Sequence, residues 1–299
     1  MEAAAACAAC GATGLQPHLR VAGDMGSEGL IPTTDQFGTA LSDIARCPAC
    51  GHMQLAVMPS DAVLSEAYGD AASEDYVDEE AGQRETARRI LERVEAHVAP
   101  GRLLDLGCWV GFLLAEAGPR GWTAQGVEPS TWASTYARDE LGLDVVQDDL
   151  FTADLPLGSF DAVVLGDVIE HLPRPVEALE RIESLLAPGG VIVMMLPDAG
   201  SRLARAMGAR WWSVIPTHVQ YFTRRSMTTL LQRNGWTPLE LRTAPKAFTV
   251  KYYLERIGGY SQPLADGLVR GASAAGVAER MWAPDFRDRM LVIARRPAR

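Results

Sequence analysis

Asp105, Gly107, Gly111 and Glu128 share one stretch, RLLDLGCWVGFLLAEAGPRGWTAQGVEPS, from Arg102 to Ser130. Glycine lets the backbone approach a ligand closely, and a helix N-terminus behind such a turn receives polar ligand groups. An acid about 20 residues past the turn, here Glu128, suits a bidentate grip on ribose hydroxyls. Asp105, just ahead of the turn, suits a cationic or amine-bearing ligand and is out of place beside a pyrophosphate. The elements that hold these groups surround them. Leu103 and Leu104 lead into the turn, and Phe112 to Ala117 is an apolar, alanine-rich helical run closed by Gly118-Pro119. Thr123 to Val127 is a short strand that ends on Glu128. Strand, glycine turn, helix, strand and acid make a nucleotide-type β-α-β unit. Its spacing is G-x-x-x-G, not the G-x-G-x-x-G of a dinucleotide site.

On these residues the stretch resembles the class I S-adenosylmethionine (SAM)-dependent methyltransferases, whose first motif is D-x-G-x-G-x-G. The chain departs from that pattern at Trp109, where the family usually carries glycine. The resemblance implies SAM as cofactor, held by Asp105, Gly107, Cys108, Trp109, Gly111, Glu128 and Pro129. The rest of the chain alternates as a doubly wound α/β fold should. Ser130 to Leu141 reads as a helix with Ser130 as N-cap, and Leu143 to Val146 as the third strand. In the family an acid after that strand contacts the adenine amino group, and the next apolar residue packs on the ring. Asp148 or Asp149 matches the acid, and Leu150 the apolar residue. Phe160 to Leu165 is a β-branched fourth strand buried on both faces. Leu185 to Gly190 and Val191 to Leu196 match the family's helix end and fifth strand, and Asp288 to Ala294 the last strand. A Rossmann-like methyltransferase sheet of seven strands follows, its final strand antiparallel by the resemblance.

The N-terminal residues carry a different chemistry. Cys7-Ala8-Ala9-Cys10-Gly11 and Cys47-Pro48-Ala49-Cys50-Gly51 are paired C-x-x-C-G knuckles, and they use four of the five cysteines. Tetrahedral zinc takes four thiolates, two from each tight turn. Cys7, Cys10, Cys47 and Cys50 are therefore expected to hold a structural zinc, with His18 and His52 not needed. Disulfides are a poor alternative in a reducing compartment. The N-terminus lacks a basic region followed by an apolar one, so no signal peptide is expected and the cytoplasm is the expected location. No apolar run approaches a membrane span. A net charge of −10 argues against a nucleic-acid partner, because phosphate neutralisation supplies most of that affinity.

The segment after the second knuckle is similar to bacterial methyltransferases that follow a short cysteine ribbon with a proline and an acidic helix bearing spaced tyrosines. Some of those act on sugars, others in polysaccharide or natural-product pathways. Tyr68 and Tyr76 occupy the matching places. Between Asp61 and Gln83 stand eight acids and no Lys or Arg, which reads as a solvated helical face or as a lid over the cofactor. Arg84 to Val98 is an amphipathic helix. The expected organisation is a zinc ribbon over 1–58, a helical linker or lid over 59–100 and a methyltransferase domain over 101–299. A helical substrate cap is expected from insertions near 199–225 and 244–285, including Ala247 to Gly259.

Acceptor chemistry is expected at the carboxyl end of the fourth strand, in Gly166-Asp167-Val168-Ile169-Glu170-His171-Leu172. Asp167 is counted among the cofactor-binding residues. His171 reads as a general base for a hydroxyl or amine, or Glu170 and His171 as groups that cap the next helix. A further alternative is a divalent cation on Asp167, Glu170 and His171, as in the similar segment of ubiquinone-pathway O-methyltransferases. His218 stands in an aromatic segment with Trp211, Trp212, Tyr221 and Phe222, comparable to one in the sugar and polysaccharide enzymes, and is a second candidate base. From Ala199 to Leu239 there are six arginines and no acid: Arg202, Arg205, Arg210, Arg224, Arg225 and Arg233. They suit an anionic small-molecule acceptor or a solvated surface. The function expected is methyl transfer to a sugar or nucleotide-sugar, with a quinone-type or other aromatic acceptor as the alternative. From other classes, a NAD-dependent oxidoreductase lacks the glycine spacing, and a non-catalytic SAM-fold interaction protein would not need His171.

Overall fold

The computed structural model describes residues 2–23, 36–60 and 77–296. Tyr68, Tyr76 and most of the acidic stretch lie outside the described residues. Five short strands come first: β1 (Glu2–Ala3), β2 (Gln16–Leu19), β3 (Ile44–Arg46), β4 (Met53–Leu55) and β5 (Val57–Met58). β3 and β4 pair antiparallel around the Cys47-Cys50 knuckle, and β2 pairs with β3.

α1 (Glu80–Glu95) then leads to β6 (Arg102–Leu106), α2 (Phe112–Ala117), β7 (Thr123–Val127), α3 (Thr131–Asp139) and β8 (Val145–Val146). β9 (Phe160–Gly166), α4 (Pro175–Leu185) and β10 (Leu186–Pro197) follow, then α5 (Arg202–Met207), β11 (Gln220–Tyr221), α6 (Arg224–Arg233) and β12 (Thr237–Thr243). The cap is β13 (Phe248–Thr249), α7 (Val250–Glu255), α8 (Gln262–Ala274) and β14 (Met281–Trp282), and β15 (Arg289–Arg295) closes the sheet.

The main sheet has seven strands in the order β12-β15-β10-β9-β6-β7-β8. β6 to β10 run parallel, and β15 is antiparallel to both β10 and β12. The chain reverses direction across the sheet between β6 and β9, which is where open α/β sheets bind ligands. Both faces are covered, so the central strands are mostly apolar, with Asp105 in β6 and Asp161 in β9 as the acids, and successive side chains serve opposite cores. Leu104, Val163 and Leu165 pack with Leu179 and Ile182 of α4 and Leu230 and Leu231 of α6. Leu103, Ala162 and Val164 pack with Ile90, Leu91 and Val94 of α1. Full burial of a Val or Leu side chain is worth about 1.5–3 kcal/mol, so a register slip in these strands would forfeit most of two cores.

The differences from expectation are local. α1 starts at Glu80 and ends at Glu95, with the His97 and Val98 amides closing on the Val94 carbonyl. The third strand shrinks to Val145–Val146, because Leu143 N–H closes the α3 turn on Ala137. The cap is more than one helix, and it docks on α1 through a close contact. A Cβ on Gly82 would lie 2.3 Å from the Ala247 carbonyl oxygen, so glycine is required there. Among the described residues no helix is long and apolar enough to cross a membrane.

Candidate active site

The carboxyl ends of β6, β7, β9 and β10 open into one cavity of about 1120 Å³. Its floor is the glycine turn. Gly107 lies at φ +71°, and its N–H and that of Cys108 donate to the Val127 carbonyl at 2.8 and 3.2 Å. Trp109 takes φ +51°, the left-handed conformation that the family's glycine would supply, at a cost of about 1–2 kcal/mol for an L-residue. Its N–H donates to Glu128 Oε2 at 2.8 Å, and its ring packs on Trp132 with centroids 5.7 Å apart.

Glu128 is 4% exposed and takes the Ser130 N–H on its other oxygen at 2.8 Å. Burial, only partly offset by those two amides, raises its pKa to about 7. Burial and the nearby Glu128 charge raise Asp105 to about 8. Of the eleven residues expected around a cofactor, Asp105, Gly107, Cys108, Trp109, Glu128, Pro129, Asp148, Asp149, Leu150 and Asp167 line the cavity. Gly111 does not. It precedes α2 at φ +85°, and a Cβ there would lie 2.4 Å from Leu143, so its glycine serves packing. Asp149 is exposed and spends Oδ1 on the Phe151 and Thr152 amides, whereas Asp148 is half-buried.

The same cavity carries two histidines. His171 Nδ1 donates to the Thr217 carbonyl at 2.9 Å, and His218 Nδ1 to the Ser213 carbonyl at 2.8 Å. A carbonyl on Nδ1 leaves the lone pair of a neutral imidazole on Nε2. The two rings meet edge to face with centroids 4.7 Å apart. Burial lowers the pKa of both, and His171 pushes His218 down further. Glu170 is 2% exposed, and neither carboxylate oxygen has a hydrogen-bond partner among the described residues. Burial and the Asp167 charge raise it to about 8. Ligand atoms of Glu170, His171 and His218 lie within 4.8 Å of one another.

The expected grouping of Asp167 with Glu170 and His171 is therefore corrected. Asp167 pairs with Lys246 at 2.5 Å and with Arg289. Burial alone would raise its pKa, and the two cations more than offset that. His218 stands in its place beside Glu170 and His171. Lys246 and Arg289 escaped the sequence reading. The one signal for Arg289 is a charge at the start of the apolar run Arg289–Ala294.

Two further expectations are resolved by packing. Trp212 lines the cavity, whereas Trp211, Tyr221 and Phe222 are core residues. Trp212, Tyr253, Trp282 and Phe286 form an aromatic wall, with the Tyr253–Trp282 and Trp212–Phe286 centroids 5.4 and 5.8 Å apart. None of the six arginines lines the cavity. Arg224 pairs with Asp198 at 2.9 Å and Arg225 donates to the Ala49 carbonyl at 2.8 Å. Arg202 and Arg205 edge a separate depression. α6 turns Met227, Leu230 and Leu231 to the core, which sends its arginines outward.

The four N-terminal cysteines converge, all with free thiols. Cys7 and Cys50 sulfurs lie 3.6 Å apart, as do those of Cys10 and Cys47. A tetrahedron with zinc–sulfur bonds of about 2.3 Å separates its thiolates by about 3.8 Å, so the cluster has the size of a zinc site. It belongs to the same core cluster as Phe222 and Met227.

The model of a methyltransferase-domain family matches residues 79–241, more than half of the chain. The protein belongs to this methyltransferase family. Two curated relatives are named ubiquinone biosynthesis O-methyltransferase. The one from Caulobacter sp. is 34% identical over 100 residues, covering 31% of this chain and 39% of the relative. The one from Psychrobacter cryohalolentis is 31% identical over 108 residues, covering 33% and 42%. The matched stretch thus spans about two fifths of those relatives' own length. Among solved structures, phosphoethanolamine N-methyltransferase 2 of Haemonchus contortus with SAM aligns at a TM-score of 0.49 and 19% identity, covering 71% of this chain and 52% of that one. A possible histamine N-methyltransferase of Thermotoga maritima aligns at 0.46 and 20%, covering 70% and 87%.

Proposed function

We propose that the protein methylates a hydroxyl of a small aromatic, quinone-type acceptor with SAM as donor, and that its cysteine cluster holds a structural zinc. One observation carries the reading. A single cavity is lined by the acid-glycine turn, Asp105 to Glu128, by two histidines bonded through Nδ1 and by the aromatic wall. The names of the curated relatives support an aromatic acceptor over a sugar. So does the absence of the six arginines from the cavity lining, which removes the charge argument for a nucleotide-sugar. Assay of catechol-type and nucleotide-sugar acceptors should give turnover with the former; methylation of nucleotide-sugars alone would reverse the assignment.

When bound, SAM supplies an electrophilic methyl group on a sulfonium. Glu128 would hold the ribose hydroxyls, Asp148 the adenine amino group with Leu150 against the ring, and Asp105 the cationic end. His171 Nε2 would take the acceptor hydroxyl proton as the methyl group arrives, leaving an ether and an imidazolium that returns its proton to solvent. His171 is the stronger base of the pair, because His218 is depressed further.

Glu170, whose carboxylate has no hydrogen-bond partner among the described residues and which lies beside both histidines, also supports a second reading, a divalent cation on Glu170, His171 and His218. In that case a chelator that spares zinc should abolish activity and magnesium or manganese should restore it. Chelator-insensitive turnover would eliminate the cation.

SAM affinity should depend on pH. Asp105 and Glu128 sit at about 8 and about 7 in the free protein, and a cationic ligand favours their ionised forms. Binding therefore releases protons, and affinity should rise as pH rises through those values. Calorimetry in buffers of different ionisation heat checks the proton release. Glu128→Ala should weaken binding by about 1.5–3 kcal/mol, the worth of hydrogen bonds to a charged group. Unchanged affinity in that variant would remove the ribose role.

A further inference from the structure

Gln220 joins two regions that carry different chemistry. It is 1% exposed and lies in β11, which completes the cysteine-bearing sheet by pairing Gln220 with Gln54 of β4. Its Nε2 donates to the carbonyls of Leu172 and Pro173 at 3.3 and 3.2 Å, directly after His171. With both amide protons committed, Oε1 is the acceptor and His52 Nε2 donates to it at 2.8 Å. His52 follows Cys50 by two positions. Gln54, across the ladder, takes the Ala8 N–H at 2.8 Å and donates to the Ala6 carbonyl at 3.2 Å, so both knuckles hang on β4.

The main chain repeats the same connection. Leu55 N–H donates to the Val219 carbonyl at 3.1 Å, and Val219 N–H to the Glu170 carbonyl at 3.0 Å. His218 immediately precedes Val219, and His171 immediately follows Glu170. The His171 ring is itself oriented by the Thr217 carbonyl, a group on the other histidine's segment. A slide of one segment against the other therefore breaks the bond that fixes the His171 tautomer.

We infer that Gln220 is a positioning residue through which the four-cysteine element holds the His171 and His218 segments in register. The inference rests on reading those histidines as the reacting edge of the acceptor site. Loss of the cysteine cluster, or of the Gln220 side-chain bonds, releases the histidines while the Asp105–Glu128 end of the cavity stays intact.

The test is nitrogen-15 NMR of histidine-labelled full-length protein, zinc-loaded and without acceptor, alongside SAM calorimetry and turnover. The wild type should show both rings as Nδ1–H tautomers. Gln220→Met keeps the side chain's length and removes its hydrogen bonds. It should average the His171 tautomers and lower turnover on the order of 10²-fold, the scale of a small misplacement of reacting groups, with zinc content and SAM affinity unchanged. His52→Asn breaks the link from the cysteine side and should shift the same signals; it decides the matter if Gln220→Met does not fold. Wild-type histidine spectra and turnover in these variants would overturn the inference. A wild type that binds no SAM, or methylates no acceptor, would instead remove the functional reading, and the spectra would still decide the coupling.

Discussion

Replacing His171 by alanine is expected to lower turnover by about 10²–10⁴-fold, the range of a general base, with SAM affinity unchanged. The separation follows from position. His171 lies beyond the end of β9, next to His218 and against the Thr217 carbonyl, whereas Glu128, the acid expected at the ribose, follows β7 and is held by the Trp109 and Ser130 amides. A neutral imidazole is needed, and burial helps to keep it neutral by lowering the pKa from 6.5. The acid limb of the pH–rate profile should accordingly lie below 6.5, with activity lost as pH falls through the lowered value. Single-turnover rates across pH, with the variant's SAM affinity measured in parallel, check both statements. Wild-type turnover in the alanine variant would shift the base to His218, and the same result in His218→Ala would end the imidazole mechanism.

The second large effect is expected at the cysteine cluster. Metal analysis after dialysis should find one zinc per chain, and Cys47→Ser should lose it. Apparent binding energies in small zinc modules are about 10–16 kcal/mol and count as folding energy. Strands β2 to β4 are only three or four residues long, so chelation should unfold this element at temperatures where the seven-stranded sheet survives. Cys108 should behave differently. It is buried within the glycine turn, and burial together with the Asp105 and Glu128 charges pushes its pKa well up, which keeps the thiol unreactive. Cys108→Ser should retain full zinc. Absence of stoichiometric zinc from native protein would sink the assignment.

The sequence by itself determined what depends on local pattern. The β-branched run in Phe160 to Leu165 marked a strand covered on both faces, because a strand buried on both sides needs no polar alternation. The glycine turn between β6 and α2, and Ser130 capping α3 by accepting the Ala133 N–H, are short-range geometry written in residue type. The two C-x-x-C knuckles each fold within a few residues, so their pairing into one cluster could be expected from type and spacing. The turn at Trp109 was legible only in part, since residue type gave no account of how tryptophan reaches a glycine conformation; the Glu128 carboxylate and Trp132 hold it there.

Only the tertiary structure decided which distant groups meet. Asp167 and Glu170 are neighbours in sequence, yet Lys246 and Arg289 pair with the first and His218 joins the second. That choice rests on the cap docking over Gly82 and on β15 entering the sheet antiparallel. The six arginines form a basic run in sequence, but none lines the cavity, and on α6 the apolar side faces the core and leaves Arg224, Arg225 and Arg233 off it. Gln220 reads as an ordinary polar residue before two aromatics. Its partners, His52 and the Leu172 and Pro173 carbonyls, are brought to it by β11 completing a sheet begun in the N-terminal segment, a pairing that no local pattern encodes because its strands lie more than a hundred residues apart.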